Sequence, residues 1–247
     1  MKQKHVHFVM QGKGGVGKTL ISYLLAQYYS SLSQTVQSYD VDGTNQSLSL
    51  FEELKVKKFD VVVGDNFNTK AFDDLVAGLI DENNQYDHAI IDSGASSFVP
   101  LNKYMLQSET VPLLLQNECY VMIHSIVYGG QGILDTLNGL YAIASCYKAI
   151  FPPPKLVVWL NAKDAPVEYD GVTFKESRVY EMFQDNISAV VELPRFSGVD
   201  FEFFQKMLQK HLTFTNVRQD PTFTLWQKHR MYVLQNSFFT SIQMAGL

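Results

Sequence analysis

Two kinds of segment alternate along the chain, and this alternation limits the possible folds more than any other feature. Short runs of β-branched and apolar residues are followed by longer stretches in which apolar residues recur every three or four positions. This order is typical of parallel strands that are buried on both faces and joined by crossover helices. The sequence therefore predicts an α/β fold, with a doubly wound, mostly parallel sheet and helices on both faces.

The individual elements can be placed from the same pattern. Strands are predicted at residues 5–10, 35–39, 60–63, 88–91, 120–127, 156–160 and 188–193. Helices are predicted at residues 18–31, 69–80, 100–107, 132–147, 174–185, 201–210 and 221–244. No Gly/Ser-rich linker, long charge run or internal repeat marks a boundary between domains. We therefore expect one domain that spans residues 1–247.

Composition excludes several classes of protein. Of the 247 residues, 46% are hydrophobic and 18% are charged, which is unlike a disordered or low-complexity chain. The net charge of −5 argues against a surface that wraps nucleic acid throughout, although it leaves one local basic face open. Residues 1–10 lack the apolar stretch of a secretory signal, and no run is long and apolar enough for a membrane span. We expect a cytoplasmic protein.

A glycine-rich loop directly follows the first predicted strand. Residues 12–19 read Gly-Lys-Gly-Gly-Val-Gly-Lys-Thr and match the phosphate-binding P-loop pattern G-x4-G-K-[ST]. Glycines let consecutive backbone N–H groups point into one concavity, and the helix behind them adds the positive end of its dipole. We expect Lys18 to contact the β- and γ-phosphates and Thr19 to offer its hydroxyl to Mg²⁺. The other predicted nucleotide-binding positions are Gly12, Gly14, Gly15, Val16 and Gly17.

The loop carries a second lysine, Lys13, directly after its first glycine. In this respect it resembles the deviant Walker A motif of the ParA/MinD family of dimeric ATPases. The resemblance implies that Lys13 reaches across an ATP-sandwich homodimer to the phosphates bound by the other subunit. A cation that arrives in this way would stabilise the charge that develops during phosphoryl transfer. The alternative is an ordinary loop lysine in solvent.

Acidic residues follow two of the predicted strands. Asp40-Val41-Asp42 resembles the D-x-D switch I of the family, which implies that Asp42 orients the attacking water and that Asp40 supports the metal environment. Gly43 follows where many partition ATPases have proline. Asp92 resembles a Walker B aspartate that binds Mg²⁺ through water, although the proline of the family's D-x-x-P signal is absent. Acidic groups at the carboxyl edge of a parallel sheet face the crevice in which ligands bind.

The site for the base is marked by two further segments. Residues 156–161 resemble the family strand that ends in an asparagine, which implies that the Asn161 amide pairs with adenine. Residues 192–195 resemble the strand and loop that line the base, with Pro194 as the contact. An amide can both donate to and accept from a purine edge. Residues 161–164 do not form the guanine motif N-K-x-D, and the resemblance favours ATP.

Over nearly its whole length the chain resembles the TraL group of conjugative-transfer proteins, which are ParA-like ATPases. The segments that carry this resemblance are residues 9–18, 93–101, 129–131 with Asp135 and Thr136, and 158–161. It implies a Mg²⁺-dependent dimeric ATP switch, slow and stimulated by partners, with plasmid transfer or partition proteins as those partners. Residues 96–100 and 129–131 have no derived role in ATP binding. One interpretation is that these two segments form a docking surface. The other is that residues 96–100 are a helix start with proline in its first turn, and that residues 129–131 are a strand-to-helix turn.

Three other functions are found among proteins with this type of fold or P-loop. An iron–sulfur ATPase would need paired cluster cysteines, which Cys119 and Cys146 do not supply. A small-molecule ligase such as dethiobiotin synthetase would not need Lys13 in trans. The serious alternative is a partition or positioning ATPase that binds nonspecific DNA or membrane. The candidate DNA contacts, here called the C-terminal basic face, are Lys206, Lys210, His211, Arg218, Lys228, His229 and Arg230.

A hydrophobic stripe occupies the same C-terminal region. A basic cluster precedes a repeat with a period of four residues, beside which Val233 and Phe239 add further apolar side chains. The repeat consists of Trp226, Arg230, Leu234, Phe238 and Ile242. An amphipathic helix on a membrane surface would carry such a stripe. A terminal helix packed on the core explains it equally well and is our expectation, so membrane association is not predicted.

Overall fold

The computed structural model describes residues 3–43, 45–64, 66–196 and 198–247. Met1 and Lys2, which belong to the segment predicted to lack a secretory signal, lie outside these residues. The strands are β1 (Lys4–Val9), β2 (Val36–Asp40), β3 (Lys57–Lys58), β4 (Val62–Val63), β5 (Asn66–Phe67), β6 (His88–Asp92), β7 (Cys119–Tyr128), β8 (Lys155–Asn161), β9 (Glu168–Tyr169), β10 (Val172–Thr173) and β11 (Ile187–Glu192). The α-helices are α1 (Lys18–Ser31), α2 (Thr69–Ile80), α3 (Phe98–Gln107), α4 (Thr110–Gln116), α5 (Ile133–Tyr147), α6 (Arg178–Phe183), α7 (Val199–Gln209), α8 (Phe214–Gln219) and α9 (Leu225–Met244).

Seven strands form one sheet in the order β11-β8-β7-β1-β6-β2-β3, and each neighbouring pair is parallel. The central strand β1 pairs with β6 on one side and β7 on the other. In such a sheet the carboxyl ends of the strands share one edge, and the strand order reverses beside β1. In register, Asp92 lies opposite both Val9 and Asp40. The predicted doubly wound parallel sheet is confirmed, and its topology gathers the acidic strand ends at the P-loop.

Helices cover both faces of the sheet. Helices α1, α7, α8 and α9 share one core, in which Trp159 and Phe238 are buried. Helices α2 to α6 share the other core, which contains Val158 and Leu140. Val158 and Trp159 are neighbours on β8, so successive strand residues enter opposite cores, as a strand buried on both faces requires. This double burial explains why the strand sequences are almost continuously apolar.

The structure corrects some of the predicted elements. The strand predicted at residues 60–63 does not join the sheet, because β4 pairs antiparallel with β5 across a turn that begins at Gly64, with φ +61°. The sheet edge is β3 instead. Helices α4 and α8 were not predicted, since seven and six residues give too few turns for a periodic pattern. Helix α3 begins at Phe98, and Pro100 occupies its first turn as expected.

A chain of buried histidines crosses the sheet beneath α1. The indole Nε1 of Trp159 donates to His124 Nδ1 at 2.9 Å, and His124 Nε2 lies 3.0 Å from His7 Nδ1. His7 Nε2 in turn lies 2.8 Å from His88 Nδ1. The Tyr29 ring stacks on the imidazole of His88, with 3.6 Å between centroids. Because an indole can only donate, the network assigns each imidazole one proton and a single direction of donation along the chain.

Burial keeps the imidazoles of His7 and His124 neutral. His7 and His124 are completely buried. Desolvation lowers the pKa of His7 well below its usual value, and the neighbouring imidazoles lower it further. Desolvation lowers the pKa of His124 to about 3. The chain is therefore an uncharged polar network whose hydrogen bonds are made within the fold, which is how polar groups are tolerated in a core.

Candidate nucleotide site

The P-loop joins the end of β1 to the start of α1. Gly15 and Gly17 have φ values of +75° and +106°, a region in which side chains other than glycine are strained. Gly17 is the N-cap of α1, so the free N–H groups of the first helical turn face the loop. A Cβ on Gly12 would lie 2.9 Å from the Phe98 ring, whereas one on Gly14 would make an ordinary contact with Ala95. The backbone therefore has the shape and polarity of an anion cradle.

Asp92 is the centre of a buried hydroxyl–carboxylate network. Thr19 Oγ1 donates to Asp92 Oδ2 and Ser22 Oγ donates to Asp92 Oδ1, each at 2.8 Å. Burial raises the pKa of Asp92 to about 7, and the nearby Asp40 contributes to the increase. Two of the three predicted metal-site residues, Thr19 and Asp92, are thus brought together. Ser22 was missed, although it lies one helical turn from Thr19 and its position in α1 could have indicated it.

Asp40 organises the loop that carries Asp42. It is fully buried, and its two carboxylate oxygens accept from the backbone N–H groups of Asp42 at 3.2 Å and Ser49 at 3.1 Å. Burial raises the pKa of Asp40, and the hydrogen bonds from the backbone oppose that rise. Asp42 itself is only partly buried and accepts from the backbone N–H of Asn45 at 3.1 Å. Asp40 therefore shapes the switch loop, and Asp42 is positioned at the surface of the crevice.

Two glycines allow this loop to approach its neighbours. A Cβ on Gly94 would lie 2.4 Å from the Asp42 carboxylate, so glycine is required for the loop after β6 to pack against Asp42. A Cβ on Gly43 would lie 2.4 Å from the carbonyl oxygen of Val62. The hairpin of β4 and β5 thus occupies the space beside Gly43. This close contact gives a physical reason for glycine where many partition ATPases have proline.

The two lysines of the P-loop differ in environment. Lys18 is buried, and its Nζ donates to the carbonyl oxygen of Lys13 at 3.1 Å. Burial lowers the Lys18 pKa, whereas Asp92 and Asp42 raise it. The Lys13 side chain remains 45% exposed, and its Nζ lies 2.8 Å from Asp135 Oδ2 on α5. Lys18 therefore faces the acidic crevice, while Lys13 is a surface cation held by a partner that the sequence analysis did not identify as a site residue.

A cavity of about 540 Å³ lies beside the loop and is large enough for a nucleoside. Asn161 and Pro194 both line it, together with aromatic side chains such as Phe196 and Phe201. Asn161 is buried, and its Nδ2 donates to the carbonyl oxygen of Val16 at 2.9 Å. The same amide therefore braces the P-loop, and its Oδ1 accepts from the backbone N–H of Lys163 at 3.1 Å. One amide N–H and one oxygen lone pair remain for a ligand. The aromatic wall was not predicted, because its residues are scattered between β11 and α7.

These features coincide with a match to a known family. Residues 7–220 match the family model described as the CobQ/CobB/MinD/ParA nucleotide binding domain. The chain belongs to this family. Over 244 residues it is 34% identical to Protein TraL of Escherichia coli, with 98% of each chain covered, and a second TraL of Escherichia coli is 33% identical over the same length. The predicted resemblance to ParA/MinD ATPases and to the TraL group is confirmed.

Solved structures of the family share the fold. A chain of the MinC:MinD cell division protein complex of Aquifex aeolicus superposes with a TM-score of 0.55 at 13% identity, covering 99% of this chain and 96% of that one. A ParA family ATPase from Chlorobium tepidum TLS gives a TM-score of 0.55 at 16% identity, covering 98% of this chain and 99% of that one. At these identities the likeness concerns the fold alone.

The TraL-like segments lie around the P-loop of this family member. The Phe98 ring of the 96–100 segment packs on Gly12, as described above. A Cβ on Gly129 would lie 2.0 Å from the carbonyl oxygen of Ala165, so the 129–131 segment passes close to the loop after β8. The fully buried Gln11 connects the P-loop to this region, because its Nε2 donates to the carbonyl oxygen of Ile126 at 2.8 Å. Both segments have the local structures expected of a helix start and a strand-to-helix turn.

The C-terminal basic face is largely engaged within the protein. Arg230 forms an ion pair with Asp200, and Lys210 lies 3.6 Å from Asp220. The Nζ of Lys206 donates to a backbone carbonyl at 2.6 Å. In the hydrophobic stripe, Leu234, Phe238 and Ile242 are buried in the core, whereas Trp226 is 61% exposed. Most of the stripe therefore packs as a terminal helix, as expected, and no helix within the described residues is long and apolar enough to cross a membrane.

The chemistry of the acidic crevice fits a magnesium ion. Its candidate ligands are the Thr19 hydroxyl and the buried carboxylates of Asp40 and Asp92, which are hard oxygen donors. The described residues contain no cluster of three or more His, Cys, Asp or Glu side chains arranged as a metal cage. Mg²⁺ in phosphate-binding sites uses one or two carboxylates, substrate phosphates and water instead of such a cage. The raised pKa of Asp92 is consistent with a carboxylate that is stabilised when a cation is bound.

Proposed function

We propose that the protein is a Mg²⁺-dependent ATPase that forms an ATP-sandwich dimer and acts as a switch in plasmid conjugative DNA transfer. The observation that carries this proposal is the juxtaposition of an exposed Lys13 with the buried Lys18 and Asp92 and the half-buried Thr19 of the P-loop crevice. Lys18 is positioned to bind phosphates within its own subunit. Lys13 remains on the surface, where it can reach a second subunit.

Each predicted site residue has a role that its environment supports. Lys18 would neutralise the β- and γ-phosphates, because it faces the crevice beside two carboxylates. The hydroxyl of Thr19 and the carboxylates of Asp40 and Asp92 would hold Mg²⁺, whose charge offsets that of the phosphates when it is bound. Asp42 would accept a hydrogen bond from the attacking water and orient it, as it is the least buried carboxylate of the crevice.

The substrate is proposed to be ATP. The aromatic cavity provides an apolar surface for a purine, and Asn161 retains the amide capacity that a base requires. Pro194 contributes an apolar contact on the same wall. Residues 1–247 would act as one ATPase domain, because the P-loop, both acidic strand ends and the base cavity belong to one sheet.

Direct assays of hydrolysis and assembly test this mechanism. The wild-type protein should hydrolyse ATP slowly in the presence of Mg²⁺ and should dimerise with a non-hydrolysable analogue. Asp42→Ala should dimerise with ATP and fail to hydrolyse it. A matched control, Asp74→Ala, changes an exposed carboxylate on α2 and should behave as wild type. Wild-type protein that stays monomeric with the analogue would overturn the dimeric switch.

The cellular role rests on the similarity to TraL. A pull-down with ATP-locked Asp42→Ala protein should recover transfer proteins encoded by the same plasmid, whereas Lys18→Ala protein should not. Exclusive recovery of partition proteins would favour the positioning alternative. That alternative also predicts ATP-dependent binding to nonspecific DNA that weakens steeply with salt. The internal pairing of the C-terminal basic face leads us to expect little such binding.

A further inference from the structure

One buried glutamine ties the entrance of the P-loop to the neighbouring strand and helix. Gln11 is fully buried, and its Oε1 accepts from the backbone N–H of Gly12 at 2.8 Å. Its Nε2 donates to the carbonyl oxygens of Ile126 on β7 at 2.8 Å and Thr136 on α5 at 3.1 Å, and it lies 3.4 Å from Ser125 Oγ. Both amide protons are therefore engaged, and such a satisfied buried amide holds its neighbours in one arrangement.

Helix α5 leaves room for this side chain. Gly139 lies in the interior of the helix, three residues after Thr136 and on the same face. A Cβ at Gly139 would lie 1.9 Å from Gln11 Oε1 and 2.8 Å from its Cδ. Glycine in a helix interior is less favourable than alanine, and the φ of Gly139 is not in the left-handed region that would require glycine. The space that Gln11 occupies therefore accounts for this glycine.

The same helix contacts the residue on the other side of Gly12. Lys13 Nζ lies 2.8 Å from Asp135 Oδ2, and Asp135 directly precedes Thr136. The two residues that flank Gly12 are thus bound to successive residues of α5. The ion pair is exposed and contributes little, so it can open when Lys13 binds elsewhere. The contacts of Gln11 are buried, and they keep the backbone in place when the ion pair opens.

We infer that Gln11 is a positioning residue for Lys13. By fixing the Gly12 N–H against β7 and α5, it sets the point from which the Lys13 side chain reaches the phosphates of the partner subunit. The phosphates bound in the same subunit would be held by the N–H groups that follow Lys13 and by Lys18. Loss of Gln11 should therefore impair the chemical step more than nucleotide binding. The inference rests on the proposed ATP-sandwich dimer and adds the residue that orients its trans lysine.

Gln11→Met tests this role, because methionine has a similar length and makes none of these hydrogen bonds. In single-turnover assays with Mg²⁺–ATP the rate constant for hydrolysis should fall by about 100-fold, the cost of a misplacement of about 1 Å. The affinity for a fluorescent ADP analogue should stay within a few-fold of wild type.

Gln27→Met is the matched control, because it removes a second buried glutamine with similar hydrogen bonds. Gln27 Oε1 accepts from the backbone N–H of Phe214 at 2.8 Å, and its Nε2 donates to the carbonyl oxygen of Tyr23 at 3.2 Å. This variant should lower the urea midpoint of unfolding as Gln11→Met does. It should hydrolyse ATP at the wild-type rate.

A double-mutant cycle with Lys13 distinguishes positioning from general damage to the fold. If Gln11 acts through Lys13, adding Gln11→Met to a Lys13→Ala protein should cause no further loss of rate. Independent effects of the two substitutions would instead multiply. Equal single-turnover rates in Lys13→Ala and in the double variant are therefore the expected result.

Gly139→Ala disturbs the same contact from the helix and keeps the glutamine, so it carries the test even if Gln11→Met does not fold. The added methyl group would displace the Gln11 amide, and both the hydrolysis rate and the urea midpoint should fall. In combination with Gln11→Ala the methyl group would enter vacated space, so the midpoint should exceed that of Gln11→Ala alone. Gly78→Ala, at an open position in α2, should leave the rate unchanged.

The outcomes separate this inference from the proposed function. Wild-type protein that neither hydrolyses ATP nor dimerises would overturn both. If the wild type is active, a normal rate in Gln11→Met, or a loss of ADP affinity as large as the loss of rate, would overturn only the role of Gln11. A further loss of rate in the Lys13→Ala background would do the same, as would full activity in Gly139→Ala.

Discussion

The two ends of helix α1 cover polar groups that are buried in opposite ways. At its first turn, Thr19 and Ser22 donate to Asp92 at the carboxyl end of β6. At its last turn, Tyr29 stacks on His88 at the amino end of the same strand. Burial raises the pKa of Asp92 and lowers those of His7 and His124, so both shifts favour the uncharged form.

The two ends of α1 differ in whether their buried polar groups are stabilised without a ligand. The histidine chain is paired by its own residues, and its hydrogen bonds form as the protein folds. The nucleotide end holds carboxylates whose negative charge is poorly stabilised until a cation arrives. A cation that binds at the nucleotide end would therefore relieve an unfavourable buried charge, whereas the hydrogen bonds at the opposite end stabilise the fold. Five predictions, in order of decreasing effect, test this division.

Lys13→Ala should cause the largest change. If Lys13 stabilises the transferring phosphate in the partner subunit, its loss should lower kcat by about 10³-fold or more. Nucleotide affinity should stay within a few-fold, because Lys18 still contacts the phosphates. Single-turnover hydrolysis and fluorescent-nucleotide binding measure the two effects, with Lys103→Ala, which changes an exposed lysine on α3, as the control. Normal turnover in Lys13→Ala would refute the trans role.

Asp92→Asn should stabilise the nucleotide-free protein while impairing its activity. At pH 8 the wild-type carboxylate is charged and buried, whereas its usual pKa of 3.8 is raised to about 7 in the fold. The shift corresponds to a free-energy cost on the order of 4 kcal/mol. Urea unfolding at pH 8 should show this gain, and Mg²⁺-dependent hydrolysis should be lost. A destabilised variant would argue that Asp92 is structural.

Gly94→Ala should change the position of the Asp42 side chain without changing nucleotide binding. The added methyl group would meet the Asp42 carboxylate and displace it. A misplacement of about 1 Å can cost about 100-fold in rate. Steady-state hydrolysis should fall accordingly, while ATP affinity and unfolding midpoints remain close to wild type. Gly78→Ala, at an open position in α2, is the matched control.

The pH dependence of stability should distinguish the two ends directly. Between about pH 4.5 and 6 the unfolded chain protonates His7 and His124, whereas the folded protein does not. Asp92 acts in the opposite sense, because only the folded protein keeps its proton there. These groups therefore give a net increase in unfolding free energy of about 1.4 kcal/mol per pH unit. In Asp92→Asn the increase should approach about 2.7 kcal/mol per pH unit. Equal slopes in the two proteins would contradict this assignment.

Asp135→Asn should have the smallest effect. Its ion pair with Lys13 is exposed, and such pairs contribute about 0.2–1 kcal/mol. The unfolding free energy should change by less than about 1 kcal/mol, and ATP-dependent dimerisation should strengthen by at most about fivefold. Sedimentation measures the second effect. A much larger change would show that Asp135 controls more than the resting position of Lys13.

The sequence predicted the fold and the P-loop well because their signals are local. The alternating segments indicate the succession of strands and helices along the chain, and the glycine spacing indicates the P-loop. Asp40 and Asp92 were correctly expected at strand ends. Their meeting with Thr19 follows from parallel register. Asp135, Gln11 and the Phe196 wall were not expected as site residues, since they reach the loop from distant elements. The histidine chain was missed for the same reason: His7, His88 and His124 look like ordinary strand residues until three strands are aligned.

The donation of Trp159 to His124 also has a spectroscopic consequence. The sequence has two tryptophans, and the other, Trp226, is 61% exposed whereas Trp159 is fully buried. A Trp226→Phe protein would therefore carry a single tryptophan, which is hydrogen-bonded to the far end of the histidine chain. Its emission would monitor the interior of the sheet during nucleotide addition or acid titration, with no external label.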